Sequence, residues 1–344
     1  MTARRTALTA VLLMLLGACA PASGTGPAAP KSIRDCNLTM IPKSTDNPYF
    51  AAVHTGMADA QRELGGELSF VGPAAGDVTG QIQRIQSGRQ RGSCLIGLSA
   101  VDSSAVAPAL RAARDHGAKI MAWDGDVAAG ARGIFVNMAS TGAIGRAQFD
   151  ILAGALHRTG QFGIVSSQAT AEVTNKWIAA MHAELARPEN KGMKLVKTSY
   201  GDDDAKKSYD AAVALIRAYP DLRGIMAPTP IALEASVKAA ADLGAAHRIV
   251  VTGLGNPSAD AQLLRNGQVP AYVLWSPREL GYLAYYAAAA YIAGKITGRQ
   301  GESFPAGHLG SRTVGADGEI VLGDPITFTK HNVGDYTHDF QATE

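Results

Sequence analysis

Carboxylates, amides and flat aromatic rings gather in the short polar segments that follow apolar runs of this 344-residue chain. The segments are residues 42–50 (PKSTDNPYF), 99–102, 123–126 (WDGD), 166–177, 228–230 (PTP), 253–258 and 275–277 (WSP). Such a set suits the recognition of hydroxyl groups. Carboxylates accept hydrogen bonds from O–H, amides and hydroxyls both donate and accept, and aromatic faces cover C–H surface. Asp124 leads the candidates, because a carboxylate at a strand end can accept two hydrogen bonds from a vicinal diol. Asp126 either supports Asp124 from behind or caps the following turn. Tyr49 and Phe50 either stack on the apolar face of a bound ring or begin the core of their helix.

Bond-making chemistry finds no comparable support. Asp124 and Asp126, separated only by Gly125, are a weak imitation of a catalytic carboxylate pair. The sequence holds no His-x-x-x-His, no Gly-x-Ser-x-Gly and no phosphate-binding loop. His54, His116, His157 and His182 fall on separate predicted helices, as surface or hydrogen-bonded side chains rather than metal ligands. No catalytic residue, metal or cofactor is expected.

The elements that must position these residues are legible as a repeat. Short apolar runs rich in β-branched residues alternate with amphipathic stretches, the pattern of parallel βαβ units. Strands are predicted at residues 36–42, 67–71, 94–98, 119–123 and 133–137, with helices at 48–65, 77–91 and 103–117. A second series has strands at 161–166, 194–199, 223–227 and 248–252 and helices at 142–158, 173–186, 204–219 and 230–243. A strand at 271–275, a long helix at 277–294 and a Gly-rich remainder with a short strand at 319–322 complete the chain. The fold class is therefore α/β, with two doubly wound parallel-sheet lobes. In open parallel sheets ligands sit beyond the carboxyl ends of the strands, where the polar segments fall.

Bulk properties narrow the partner. A net charge of +2 with 18% charged residues and no basic run in the body of the chain leaves no electrostatic footprint for nucleic acid. A small neutral ligand fits better. At the front, Arg4 and Arg5 precede an apolar run over residues 7–16 that is too short to span a bilayer, closed by Leu16-Gly17-Ala18-Cys19. This reads as a lipoprotein signal peptide over residues 1–18, with Cys19 the lipidated first residue and residues 19–34 a flexible tether. The alternative is an ordinary secretory signal cut after a small residue. Either places the protein outside the cytoplasm, with the lipid anchor its only expected membrane contact. In an oxidising compartment Cys36 and Cys94 invite a disulfide, since each opens a strand and the first and third strands of a doubly wound sheet are neighbours. A bridge closing that loop contributes about 4 kcal/mol on the chain-entropy model; two free buried thiols are the alternative.

IPKSTDNPYF, AWDGD, GLGNPS, VLWSPRELGYLAYYAAAAYIAGKITG and AGHLGSRTVGADGEIVLGDP together resemble the solute-binding lipoproteins and periplasmic proteins of sugar ABC importers, and most closely the rhamnose-binding and autoinducer-2-binding subfamily. The resemblance runs from about residue 38 to 336. It implies a type I periplasmic binding protein whose two lobes, joined by a three-segment hinge, close on ligand. The first lobe would comprise residues 35–138 plus about 277–305, the second 139–276 plus about 306–344. The implied function is capture of a small neutral sugar, rhamnose-like or related, by a monomer that delivers it to a membrane permease; the alternative is autoinducer-2 uptake or signalling. Asp124 and Lys43 match the family's ligand-binding aspartate and lysine, and Asn47 lies in the same loop. Asn175 and Trp177 match the family's second-lobe motif, whereas Val173 and Thr174 replace its aspartate or asparagine and its glutamine; a one-residue shift would bring in Glu172 instead. Thr229 and Pro230 resemble the rhamnose binders. Gly255 stands where many sugar binders place an aspartate, which leaves Asn256 as the candidate there. Trp275 lies at the hinge crossing, as a ligand-facing ring or a buried structural one.

Overall fold

A computed structural model describes residues 32–128, 130–169 and 171–340, apart from the side chains of Glu172 and of residues 337–340. The expected signal peptide, Cys19 and most of the tether lie outside the described residues. Fourteen strands and nine α-helices are found among those described.

The first sheet is wholly parallel and runs β13-β5-β4-β3-β1-β2. Its strands are β1 (Asn37–Ile41), β2 (Glu67–Phe70), β3 (Leu95–Leu98), β4 (Lys119–Trp123), β5 (Ile134–Asn137) and β13 (Glu319–Val321). Helices α1 (Pro48–Leu64), α2 (Val78–Gln90) and α3 (Ala107–Asp115) connect β1 to β4, and α9 (Pro277–Ile292) packs beside α1. Continuous burial along β3 and β5, and from the second residue of β1 and β4, fits strands covered on both faces. Leu38, Met40 and Met121 face α1 and α9, while Ile41, Ile96, Leu98 and Ile120 pack with Ile85, Val106 and Leu110 under α2 and α3.

The second sheet runs β7-β6-β8-β9, also parallel, from β6 (Thr159–Ser166), β7 (Gly192–Tyr200), β8 (Leu222–Ala227) and β9 (Val250–Gly253). A single bridge from Leu254 to Val273 continues it to β10 (Tyr272–Leu274), which pairs antiparallel with β14 (Ile326–Phe328). Helices α4 (Thr141–Ala155), α5 (Glu172–Leu185), α6 (Ala205–Ala218), α7 (Pro230–Asp242) and α8 (Pro257–Arg265) clothe it. A hairpin of β11 (Ser303–Pro305) and β12 (Ser311–Thr313) precedes β13.

The chain crosses between the sheets after β5, after β10 and after β13. The tail differs from expectation: β13 pairs in register with β5 on the first sheet, Ile320 opposite Val136, so the third crossing falls between residues 321 and 326 rather than near 306. A three-residue strand carries too little pattern to name its partner; long-range pairing decides it. The nine-residue α8, the β11–β12 hairpin and β14, all unmarked in the sequence pattern, are further additions. Cys36 and Cys94 form a disulfide, their Cα atoms 5.8 Å apart, because β1 and β3 are adjacent and start together.

Two glycines let α1 and α9 touch backbone to backbone. A Cβ at Gly56 would stand 1.8 Å from the Arg278 carbonyl oxygen, and one at Gly281 1.9 Å from that of Val53. Neither obstacle can rotate away, so Gly281→Ala must push the helices apart. Overpacking of this kind costs about 1–3 kcal/mol or more. Thermal unfolding of G281A is expected to begin several degrees below wild type, at about 2–4 °C per kcal/mol for large domains; an unchanged melting temperature would show the helices separate freely.

In the second lobe Asp260 is almost fully buried, accepts from the Asn256 backbone N–H at 2.7 Å and feels the charge of Glu234 of α7. Burial first, then the neighbouring Glu234 charge, push its carboxyl up to about 7. The folded state thus holds this proton more tightly than the unfolded chain, and the stability it contributes is present at low pH and lost as pH rises from about 4 through about 7. Denaturant unfolding between pH 5 and 8 should show wild type losing stability relative to Asp260→Asn, which mimics the protonated form. Parallel pH profiles for the two proteins would contradict this.

Candidate functional site

The loop after β4 carries the centre of the site. Asp124 has φ 58°, a left-handed backbone that aspartate tolerates better than most residues, and its N–H reaches the Val136 carbonyl at 3.1 Å. Gly125 follows because nothing larger fits: a Cβ there would stand 2.7 Å from Cε of Lys43 and 2.8 Å from the Ala100 carbonyl oxygen. This tight turn aims the Asp124 carboxylate, 5% exposed, at the gap between the lobes.

A buried carboxylate must be compensated, and three donors do it. Tyr49 Oη donates to Oδ1 at 2.7 Å, Ser99 Oγ donates to Oδ2 at 2.7 Å, and Lys43 Nζ stands 3.1 Å from Oδ2. Trp275 Nε1, on the hinge crossing, donates in turn to Tyr49 Oη at 2.8 Å. Burial, then the Asp124 charge, raise the Tyr49 hydroxyl well above its ordinary range, so it stays a donor at any working pH. A carboxylate offers roughly four acceptor positions, so about one remains for a ligand unless Tyr49 or Lys43 yields another. The loops bearing these donors are clamped by Gln81 of α2, which is fully buried. Its amide donates to the carbonyls of Pro42 at 3.0 Å and Ser99 at 2.7 Å and accepts from the Val101 N–H at 3.0 Å.

Aromatic rings wall the gap. Trp275, 4% exposed, lies edge-on to Tyr49 at 6.3 Å and to Trp177 of α5 at 6.1 Å between centroids, so the hinge ring touches both lobes. A cavity of 230 Å³ beside them is lined from the first lobe by Asp124, Asp126, Asn137 and Glu319 and from the second by Val173 and Trp177. That is smaller than the ~300–1,000 Å³ of drug-sized pockets and suits a compact ligand. A larger cavity of 470 Å³ lies on the outer surface of α1 and α9. Its charged groups satisfy one another: Arg278 pairs with Asp59 at 2.6 Å, His308 with Glu279 at 2.7 Å, and Glu63 accepts from Tyr282 at 2.7 Å. Such an ion-pair network braces a helix face rather than receiving a small neutral molecule.

Lys43, Tyr49, Asp124, Trp177 and Trp275 thus converge. Asp126 stands on the cavity wall, where it is paired with Arg132, whose Nη2 donates to Oδ2 at 2.7 Å, and accepts from the Val127 N–H at 2.8 Å. Arg132 also reaches the Asp317 carbonyl at 2.6 Å, tying this loop to the segment before β13. Other candidates have local work. Asn47, Thr229 and Asn256 accept from Tyr49, Ala232 and Ser258 N–H as the caps of α1, α7 and α8, and Pro230 is the first residue of α7. The Asn175 amide donates to the Ala169 carbonyl at 2.8 Å, and Phe50 is buried in the core against Trp123. Thr174 spends its hydroxyl on Ser167 and on the Ala171 carbonyl. A Cβ at Gly255 would strike the Tyr272 ring at 2.5 Å, so an aspartate there has no room.

Two residues escaped the sequence reading. Ser99 lay in a candidate loop without being singled out, and Gln81 betrayed itself only as a polar residue on a buried helix face.

Two parallel α/β lobes, three crossings and a cleft at the strand ends define a type I periplasmic binding protein, a class of solute-binding proteins and not of enzymes. The chain matches the periplasmic binding protein domain over residues 38–296 and belongs to that family. It is similar to a sugar ABC transporter protein from Actinomyces odontolyticus, 35% identical, with a TM-score of 0.78 over 88% of this chain and 98% of that one. An ABC transporter solute-binding protein from Clostridium phytofermentas with bound L-rhamnose is 30% identical, with a TM-score of 0.80 over the same shares. The D-ribose/D-allose-binding protein of Pseudomonas aeruginosa is 24% identical over 281 residues, 78% of this chain and 85% of its own length.

Removing the Asp124 charge should empty the site without unfolding it. Asp124→Asn is expected to weaken ligand affinity by at least tenfold while the ligand-free melting temperature stays within a few degrees of wild type. Titration calorimetry with a ligand that binds wild type checks this, and unchanged affinity would remove Asp124 from the site.

Proposed function

We propose that this protein is the extracytoplasmic sugar-binding component of an ABC importer, anchored through Cys19, that captures a small neutral sugar and delivers it to a membrane permease. A rhamnose-like deoxyhexose is the favoured ligand. The observation that carries this reading is the buried Asp124 carboxylate, held by Tyr49, Ser99 and Lys43 and flanked by rings from the hinge and the second lobe. A polarised acceptor beside flat apolar faces matches a pyranose, which is hydroxylated at its edge and apolar on its faces. The resemblance to a protein holding L-rhamnose, at 30% identity over nearly the whole folded part, supports the same class.

Capture works by hinge closure. In the open form each lobe offers only part of the contacts, so ligand bound to the first lobe gains Trp177 and its neighbours only when the second folds over it. Because those contacts exist in the closed state alone, the ligand shifts the population toward it. The closed form then brings the rims of both lobes together before the permease. An autoinducer-2 ligand is less well served: Val173 offers no polar group, and Thr174 is already hydrogen-bonded within its own turn.

A thermal-shift screen of the protein lacking residues 1–19 against L-rhamnose, D-ribose, D-allose, other pentoses and hexoses and autoinducer-2 tests the reading. A ligand at 100 times its Kd adds about 2.7 kcal/mol to the folded state, which raises the melting temperature by several degrees. Stabilisation by a neutral sugar is the expected result. Silence across the sugars, or a response to autoinducer-2 alone, would overturn it.

A further inference from the structure

The cavity between the lobes is walled by the carboxylates of Asp124, Asp126, Asp317 and Glu319, which differ in how far the protein satisfies them. Three donors occupy Asp124. Arg132 spans both oxygens of Asp126, which also accepts from the Val127 N–H at 2.8 Å. Asp317 is exposed to water. Glu319, half-buried, has one neutral donor among the described residues and no ion pair there: the Asn137 amide, whose Nδ2 donates to Oε1 at 2.7 Å.

We infer that Asn137 and Glu319 form a second ligand-binding subsite at the hinge end of the cleft, which, resting on the sugar-binding reading above, takes a hydroxyl of the neutral sugar other than the one held by Asp124. Asn137 ends β5, where the first crossing leaves the sheet, and Glu319 opens β13, just ahead of the third. Side chains alternate along a strand, so Phe135 and Asn137 share one face of β5. The register sets Glu319 beside Phe135 and Val321 beside Asn137, and Glu319 therefore meets Asn137 on the diagonal. Val136 and Ile320, on the other face, are fully buried in the core that includes α1 and α9. The Arg132 guanidinium, 5.2 Å from the centroid of the Phe135 ring, bounds the polar face from the side.

Asn137 is only 6% exposed, yet it lines the cavity together with Glu319. A carboxylate accepts and does not donate, so the amide is fixed with its nitrogen toward Glu319. That leaves Asn137 Oδ1, its second amide hydrogen and Glu319 Oε2 without a hydrogen bond among the described residues. Polar groups stripped of water and left unmatched are costly. Folding does not need them here, because two apolar side chains of similar volume serve a strand interior as well or better. A hydroxyl answers the arrangement, since it can donate to the open carboxylate oxygen while accepting from the amide. Lys176 of α5 lines the same cavity from the second lobe, so a direct link between Glu319 and that lysine on closure is the competing role.

The test is titration calorimetry with L-rhamnose, or with whichever panel sugar binds wild type most tightly, and with its single-deoxy analogues. Glu319→Ala is expected to lose at least tenfold in affinity for the parent sugar, together with one deoxy position whose removal costs wild type at least fivefold more than it costs E319A. Asn137→Ala should blunt the penalty at the same position. Should E319A fail to fold, Glu319→Gln, which keeps the shape and the hydrogen bond from Asn137, carries the same comparison with at least a threefold loss. A change below twofold overturns the inference. So does an equal loss for the parent and every analogue, which would make Glu319 a hinge brace or a latch for Lys176 rather than a contact to ligand. If wild type binds no sugar, it is the sugar-binding reading that fails, and this inference with it.

Discussion

The constraint that organises the molecule is a negative charge held almost out of water. Burying a carboxylate without partners costs many kcal/mol, so every segment around Asp124 is arranged to answer it. Lys43 comes from the loop after β1, Tyr49 from the first turn of α1 and Ser99 from the end of β3. Those three loops meet only because β1, β3 and β4 are neighbours in the sheet. Gln81 then fixes two of them to α2 through a single buried amide. Strand order, the shape of the Asp124-Gly125 turn and donor chemistry are one requirement expressed at three scales.

The same carboxylate links the lobes. Its donor Tyr49 accepts from Trp275, which lies on the second crossing, and Trp275 leans on Trp177 of the second lobe. A chain of contacts thus runs from the first-lobe site through the hinge to the far wall. Arg132 makes a comparable link between the loop after β4 and the segment leading to β13, just ahead of the third crossing. The crossings are therefore not passive connectors, since two of them are tied to groups beside the cleft.

Much of the fold was legible because parallel strands and amphipathic helices write distinct periods into the sequence. The first eleven strands and helices lie within a few residues of their predicted bounds, and the Cys36–Cys94 bridge follows from strand adjacency. What was illegible depended on distant partners, as with the three residues of β13 that complete the first sheet. The site was harder to read for a chemical reason. In an alternating α/β chain the loop at the carboxyl end of a strand is also the start of the next helix, so polar residues there serve two masters. Asn47, Thr229 and Asn256 looked like hydroxyl-binding groups, and each caps a helix. Asp124 could be recognised because a helix does not begin at its turn, whereas in the run Asp202-Asp203-Asp204 the last is the cap of α6.

All three tryptophans of the chain stand around this centre. Trp123 ends the strand that presents Asp124, Trp177 lies on the facing lobe, and Trp275 donates its indole N–H into the hydrogen-bond chain between them. Indole emission responds to local polarity and to loss of a hydrogen bond, so the protein carries an unlabelled optical record of its own occupancy. Its natural fluorescence reports on the cleft, with no tryptophan elsewhere to dilute the signal.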